Sequence, residues 1–301
     1  MLRTRLWMGA VLIALTVGVL VLDDRLAPWY PFLLLLLLTL DLLACHELLT
    51  LLGPERRPWP WLCYLAITVL VLVNWPVHLW EWARAVSPDA LHWVLGTYAA
   101  VILAAFVTGL ATYQPPAESV NGLAPDTVVR VALATFLAGY LGVLPSFIAQ
   151  LRWPASERAG DANTQAVLAM AMAIFIPKCC DTGAYTLGRL IGRHKMSPAI
   201  SPGKTWEGLA GGLTTAVVAA VILNRLGPVL PGDGVVSDLA AVGFGLTVGG
   251  AGVLGDLAES LIKRQYRQKD ASHAMPGFGG VLDVVDSIVF AAPVAYCWLC
   301  W

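Results

Sequence analysis

Residues Gly255–Ser287 read GDLAESLIKRQYRQKDASHAMPGFGGVLDVVDS. They concentrate Asp256, Glu259, Lys263, Arg264, Arg267, Lys269, Asp270, Asp283 and Asp286 in a chain that is otherwise apolar. On a helix Asp256, Glu259 and Lys263 fall at i, i+3 and i+7 and share one face. Asp283 and Asp286 repeat the i, i+3 spacing beyond a glycine-rich turn. Carboxylates presented by two helices and flanked by cations suit a metal-assisted reaction on phosphates. Hard oxygen ligands hold the ion, and Lys and Arg neutralise the remaining phosphate charge. The same spacing also suits a salt-bridged loop beside a membrane, and spacing alone does not separate the two.

Of the 301 residues, 58% are hydrophobic and 13% charged, against about 25% charged in soluble domains. That supply of polar groups cannot coat a globule of this size. The expectation is an all-α, polytopic integral membrane protein. A net charge of −1 gives no bulk attraction to nucleic acid, so no nucleic-acid partner is expected. The cysteines Cys45, Cys63, Cys179, Cys180, Cys297 and Cys300 lie in apolar runs, where free cysteine behaves as a small hydrophobe. Cys297 and Cys300 form a CxxC without a second pair, which gives little support for a redox or zinc role.

Residues 1–22 have a basic start (Arg3, Arg5) and a long apolar run. Asp23-Asp24-Arg25 follows in place of a small-residue cleavage site, so the run reads as an uncleaved first span. Apolar runs of about 20 residues, the length that crosses a bilayer, recur near 29–52, 60–80, 91–113, 128–151, 164–187, 208–226, 236–258 and 281–301. About nine transmembrane helices are expected, joined by links such as Gly53-Pro54, Ser87-Pro88 and Gly227-Pro228. Residues 1–163 form an N-terminal region of about five spans. There Trp29, Trp59, Trp61, Trp75, Trp80, Trp82 and Trp93 sit near span ends as interfacial anchors, and Asp41 and Glu47 are the main charges at depth. Residues 164–301 form the region where charges and glycines enter the apolar runs.

Counting Lys and Arg in alternate loops tests orientation. With the N-terminus cytoplasmic, thirteen fall inside, five outside, and Lys178 within the membrane, which accounts for all 19. The bias favours nine spans with the N-terminus in and the C-terminus out. Both charged segments then face the cytoplasm, where nucleotides are.

The second charged segment is PKCCDTGAYTLGRLIGRHKMSPAISPGKTWEGLAGG, residues 177–212. Lys178 and Asp181 stand at i, i+3, and a basic loop then delivers Arg189, Arg193, Lys195, Ser201, Lys204 and Thr205. Ser-Pro-Gly-Lys-Thr resembles the tail of a phosphate-binding loop, but Pro198 occupies the place of the first glycine, which disfavours a Walker-type NTPase. A basic loop with hydroxyls beside a helix start can still hold a triphosphate. Energetics favour function over a bare salt-bridged loop. A charge at mid-membrane costs roughly 2.5–3.5 kcal/mol, so Asp256, Glu259, Lys263, Asp283 and Asp286 facing lipid would cost on the order of 10 kcal/mol together. A water-accessible cavity between spans accounts for them better.

Two patterns carry a family resemblance. S-L-I-K-R-x4-K-D…P-G-x-G-G-x-x-D-x-x-D-S, from Ser260 to Ser287, resembles the signature of phosphatidate cytidylyltransferases, the CDP-diacylglycerol synthases. D-T-G-A-Y…G…S-P-x-K-T-W-E-G, from Asp181 to Gly208, is similar to the second hallmark of that family. The motifs cover residues 177–287, and the N-terminal half matches only as polytopic apolar sequence. Phe278 and Val284 stand where the family usually has His and Arg; His273 is a nearby substitute for the former.

The resemblance implies that CTP and phosphatidate, a membrane lipid, give CDP-diacylglycerol and pyrophosphate in phospholipid biosynthesis. It implies Mg²⁺, alone or with a second cation, and a multi-pass protein of the cell inner membrane with its active site facing the cytoplasm. A homodimer is left open. On this reading Asp256 and Asp283 are the first choice of metal ligands, with Asp181, Glu259 and Asp286 further ligands or behind them. Lys263 joins Asp256, Asp283 and Asp286 as catalytic. Ser201, Lys204, Thr205, Arg264, Lys269 and Asp270 contact substrate, and Gly279 and Gly280 let backbone approach the nucleotide. The competing readings are a CTP-dependent polyprenol- or phytol-type lipid kinase, which would transfer the γ-phosphoryl group, and an ion-coupled secondary transporter, which should show an internal repeat. A CDP-alcohol phosphatidyltransferase would need D-G-x2-A-R…G-x3-D-x3-D, which is absent.

Overall fold

The computed structural model describes residues 2–113, 126–153, 162–227, 229–230, 235–269, 271–272, 275 and 279–300. Asp270, His273 and Phe278 lie outside the described residues. The helices are α1 (Leu2–Asp23), α2 (Pro31–Leu51), α3 (Gly53–Arg56), α4 (Pro60–Leu72), α5 (Pro76–Leu79), α6 (Glu81–Val86), α7 (Ala90–Ala111), α8 (Thr127–Ala138), α9 (Leu144–Gln150), α10 (Ala162–Ile191), α11 (Trp206–Leu226), α12 (Val235–Gln265) and α13 (Leu282–Cys300). A two-stranded antiparallel hairpin, β1 (Lys195–Ser197) and β2 (Ser201–Thr205), joins α10 to α11 and pairs Lys195 with Thr205 and Ser197 with Ser201.

Among the described residues nine helical segments are long and apolar enough to cross a membrane. The protein is an all-α polytopic membrane protein. The third segment, Pro60–Leu79, joins α4 to α5 across a break. There Asn74 donates its side-chain amide to Leu70 O, Val71 O and Ser146 Oγ. The fifth, Thr127–Gln150, is α8, a π-helical turn at Gly139–Val143, and α9. Pro145 near the start of α9 has no N–H to give the preceding turn, and the wider turn absorbs that gap.

Two segments run further than the apolar pattern suggested. The sixth continues to Ile191 and the eighth to Gln265. α12 therefore carries Asp256, Glu259, Lys263 and Arg264 on one unbroken helix. Hydropathy underestimates such a helix because its charges face partners within the protein instead of lipid.

α10, α11, α12 and α13 pack on one another as a bundle, with α9 and α2 against α13. Small residues allow the closest approach. A Cβ added to Gly212 on α11 would stand 2.6 Å from Cys180 O on α10, and one added to Gly252 on α12 would stand 2.7 Å from Pro177 Cβ. Neighbouring backbones pass where side chains would block them, as small residues allow in membrane bundles. The buried apolar core runs through both halves of the chain, from Leu33 and Ile67 to Phe244 and Val289. α1 is more peripheral, and Asp23 at its end caps α2 by accepting from the N–H groups of Phe32 and Leu33 at 3.0 and 2.7 Å.

Candidate active site

Four elements of the C-terminal bundle bring charge to one place. α10 contributes Lys178 and Asp181, β2 contributes Ser201 and Lys204, α12 contributes Asp256, Glu259 and Lys263, and α13 contributes Asp283 and Asp286. Their ion pairs form three sets. Lys178 Nζ lies 3.8 Å from Asp181 and 3.5 Å from Asp286. Lys204 Nζ lies 2.8 Å from Asp256 Oδ2 and donates to Val253 O at 3.3 Å. Lys263 Nζ lies 2.7 Å from Glu259 Oε2 and also binds Asp283 Oδ1. Glu259 is 1% exposed, Asp286 5% and Lys263 7%, so the Lys263 set is largely withdrawn from solvent, where a missing partner is costly, whereas the Lys204–Asp256 and Lys178–Asp181 pairs are partly exposed.

Five carboxylates stand against three ammonium groups in this set, so two carboxylates have no ammonium group of their own. One ligand oxygen from each of Asp256, Glu259 and Asp286 lies within 4.8 Å of the others. Glu259 Oε1 is buried with no hydrogen-bond partner. An all-oxygen donor set, an orphaned carboxylate oxygen and an excess of carboxylates over ammonium groups fit a hard divalent cation. A cation there would be held by Asp256, Glu259 and Asp286.

The structure gives Asp283 different company. Beside Lys263, its Oδ2 accepts from the N–H groups of Gly280 at 2.6 Å and Ala271 at 3.3 Å. Both oxygens are thus engaged in shaping the turn that precedes α13. Asp256, the other carboxylate of the expected pair, sits with Asp286 instead. The i, i+3 spacing places Asp283 and Asp286 close on α13, but it does not say which of them meets Asp256.

A cavity of about 510 Å³ opens beside the cluster, lined among others by Asp181, Tyr185, Arg189, Ser201, Lys204, Thr205 and Asp256. That volume lies in the range of small-molecule sites, about 300–1,000 Å³. Its wall includes the start of α11, where Thr205 Oγ1 caps the helix by accepting from Gly208 N at 3.1 Å. Glu207 closes the other side of the hairpin, accepting from Arg193 N at 3.1 Å and meeting His194 Nδ1 at 2.5 Å. Arg264 reaches the hairpin too, donating from Nε to Ile200 O at 3.1 Å, and so ties α12 to the β-turn. Lys269 is exposed, away from these contacts.

Gly279 has φ +102°, and Met275 and Gly279 exchange backbone hydrogen bonds of 2.8 and 3.1 Å, which makes a tight turn only glycine enters without strain. Gly280 is buried against Glu47, a residue of the N-terminal half. Glu47 is 4% exposed. Its carboxylate accepts from Ser272 Oγ at 2.6 Å and from the N–H groups of Val281 and Leu282, each at 2.9 Å. It therefore caps α13 from a separate helix. The sequence marks Glu47 as a charge at depth, but nothing local says that its partners lie more than two hundred residues away.

An apolar groove of about 310 Å³ lies along α12, between α2 and α8, lined by Leu48, Leu52, Leu133, Phe136, Leu261, Ile262 and Tyr266 among others. Ile262 and Lys263 are adjacent and Ile262 stands one turn from Glu259, so this groove borders the charged cluster along α12.

Residues 3–300 match the family model described as the cytidylyltransferase family. The chain belongs to the cytidylyltransferase family. Curated relatives in this family include a protein named phosphatidate cytidylyltransferase from Haemophilus influenzae, 44% identical over 116 residues, 38% of this chain and 39% of that protein. One of the same name from Mycobacterium leprae is 35% identical over 181 residues, 60% of this chain and 53% of that protein. Another from Thermotoga maritima is 30% identical over 195 residues, 64% of this chain and 66% of that protein. The similarity to the Haemophilus protein thus spans 39% of its length.

Proposed function

We propose that this cytidylyltransferase-family member is a phosphatidate cytidylyltransferase, converting CTP and phosphatidate to CDP-diacylglycerol and pyrophosphate. The observation that carries the reading is the lysine–carboxylate set opening onto a cavity of small-molecule size that Arg189 and Lys204 line, built from the same two segments that resemble the family motifs. The names of the relatives support it.

In the reaction an oxygen of the lipid phosphate attacks the α-phosphorus of CTP. The bond from that phosphorus to the bridging oxygen of the β-phosphate breaks, and pyrophosphate leaves in line with the attack. Two anions have to meet, so the work of the site is charge neutralisation and alignment. Lys204 and Arg189 hold the triphosphate against the cavity wall, and the positive end of α11 adds to their field. Lys178, between Asp181 and Asp286, is placed to meet the lipid phosphate. Lys263 and Asp283 keep α12 and the α13 turn in register. No side chain is required as a general base, because a phosphate monoester dianion is already nucleophilic near neutral pH. The diacylglycerol portion lies along the apolar groove beside α12.

Mg²⁺ is the cation proposed for Asp256, Glu259 and Asp286; when bound it supplies electrostatic stabilisation to the phosphates. The thirteen-to-five count of Lys and Arg supports a cytoplasmic N-terminus and an active site facing the cytoplasm from the inner membrane. Purified protein given CTP, phosphatidate and Mg²⁺ should release CDP-diacylglycerol and pyrophosphate in equal amounts. Release of CDP with a phosphorylated lipid would instead make the protein a kinase.

A further inference from the structure

Tyr140 belongs to the N-terminal half, outside both motif segments, yet its ring packs against α13 near the acidic cluster. It sits in the π-helical turn Gly139–Val143, is 5% exposed, and its hydroxyl is buried with no hydrogen-bond partner. Its ring packs against Phe136 with centroids 5.6 Å apart and meets Phe290 edge-on at 5.8 Å. Phe290 lies one turn beyond Asp286 on the same face of α13. Phe290 in turn packs on α12, where a Cβ added to Gly255, one turn before Glu259, would stand 2.9 Å from Phe290 Cβ. Glu259 Oε1 is likewise buried and unpartnered.

An unpaired buried hydroxyl costs about 1–3 kcal/mol, a cost that phenylalanine at the same position would avoid. Two orphaned oxygens near a set in which carboxylates outnumber ammonium groups point to a ligand that brings positive charge and hydrogen-bond donors together. A hydrated divalent cation has both. Mg²⁺ gives up its waters reluctantly, so a protein site for it needs acceptors for those waters as well as carboxylates for the ion. π-Turns are often found where a side chain has been redirected toward a functional position. In this chain the turn holds a tyrosine whose ring touches both Phe136, which lines the apolar groove, and Phe290, one turn beyond Asp286.

We propose that Tyr140 is a positioning residue of the cation site, its hydroxyl accepting a hydrogen bond from a water carried by the divalent ion at Asp256, Glu259 and Asp286. The proposal rests on the reading of that cluster as the metal-assisted centre. It makes the N-terminal half part of the active site.

The test is Tyr140→Phe, which deletes only the oxygen, with Tyr98→Phe as the control. Tyr98 also buries much of its ring, and its hydroxyl donates to Thr135 O at 3.1 Å. Thermal unfolding of the purified protein in detergent, without CTP, is followed against Mg²⁺ concentration, and Mn²⁺ binding is measured by electron paramagnetic resonance. Tyr140→Phe should unfold at or above the wild-type midpoint in EDTA but need about 10–100 times more Mg²⁺ for the same stabilisation, as when a group that orients a metal's ligands is lost. Its Mn²⁺ affinity should fall in step, and Tyr98→Phe should titrate like wild type. An unchanged Mg²⁺ titration, a lower midpoint in EDTA, or an equal effect of Tyr98→Phe would overturn the proposal. These readouts do not depend on turnover. A Tyr140-dependent cation shift in a protein that makes no CDP-lipid would sink the proposed reaction alone, and normal turnover with no shift would sink this inference alone.

Discussion

Glu47→Gln should unlatch the turn before α13 while leaving the shape of the core intact. In the native protein one buried carboxylate accepts from Ser272 Oγ, Val281 N and Leu282 N at 2.6, 2.9 and 2.9 Å. A glutamine can keep its carbonyl oxygen on Ser272 and Val281, but its NH₂ group then faces the N–H of Leu282, and two donors meet. The orphaned N–H costs about 1–3 kcal/mol, and the two remaining bonds lose the assistance of charge, which roughly doubles such bonds. The sum is roughly 2–4 kcal/mol against the docked turn. At about 1.4 kcal/mol per factor of ten, that shifts the docked population by about thirtyfold to several hundredfold. Turnover should fall at least tenfold, and limited proteolysis should open the segment after Gln265 in the variant before it does in wild type. Ser272→Ala removes one of the three contacts and should be much milder. Gly280→Ala should mimic Glu47→Gln, because its Cβ would stand 2.8 Å from the Glu47 carboxyl carbon. If Glu47→Gln keeps turnover within twofold and wild-type proteolysis, the latch is not what organises the site.

Asp256 and Asp283, the metal pair suggested by the family resemblance, should part company on substitution. Asp256→Asn should leave thermal stability nearly unchanged and lower Mg²⁺-dependent turnover by orders of magnitude, whereas Asp283→Asn should lower both stability and turnover, because it strips Lys263 and the Gly280 N–H of a partner; equal stability of the two variants would contradict this division between an ion ligand and a turn-shaping carboxylate. Lys204→Met should raise the KM for CTP more than that for phosphatidate, read from initial rates with each substrate varied, and an effect confined to phosphatidate would reverse the assignment of the two phosphates. Cysteines introduced at positions 198 and 268 should react with impermeant reagents only from the cytoplasmic side, and labelling from opposite sides would refute the nine-span topology.

Much of the fold was legible in the residues because a bilayer imposes one simple rule: helices of about 20 apolar residues. The rule served less well where charge enters a helix, and the apolar pattern stopped at residue 258 although α12 continues to Gln265. Of the site, the motif segments and the need to gather Lys204, Asp256, Lys263 and Asp286 were readable from charge density. The partners within that set were not. Asp283 and Asp286 stand equally well spaced for a metal, and only the turn at Gly279 and Gly280 commits Asp283 to backbone amides and Lys263. Glu47 and Tyr140 left little trace, because their meaning lies in contacts with α13 across most of the chain.

The most direct test of the central claim is the fate of each phosphate of CTP. Purified protein, phosphatidate and Mg²⁺ are combined with CTP labelled at the α- or the γ-phosphorus, and lipid and water-soluble products are separated and counted. Attack at the α-phosphorus predicts α-label in the lipid fraction as CDP-diacylglycerol and γ-label in pyrophosphate. Label from the γ-position in the lipid fraction, or no label in lipid from either position, would contradict it.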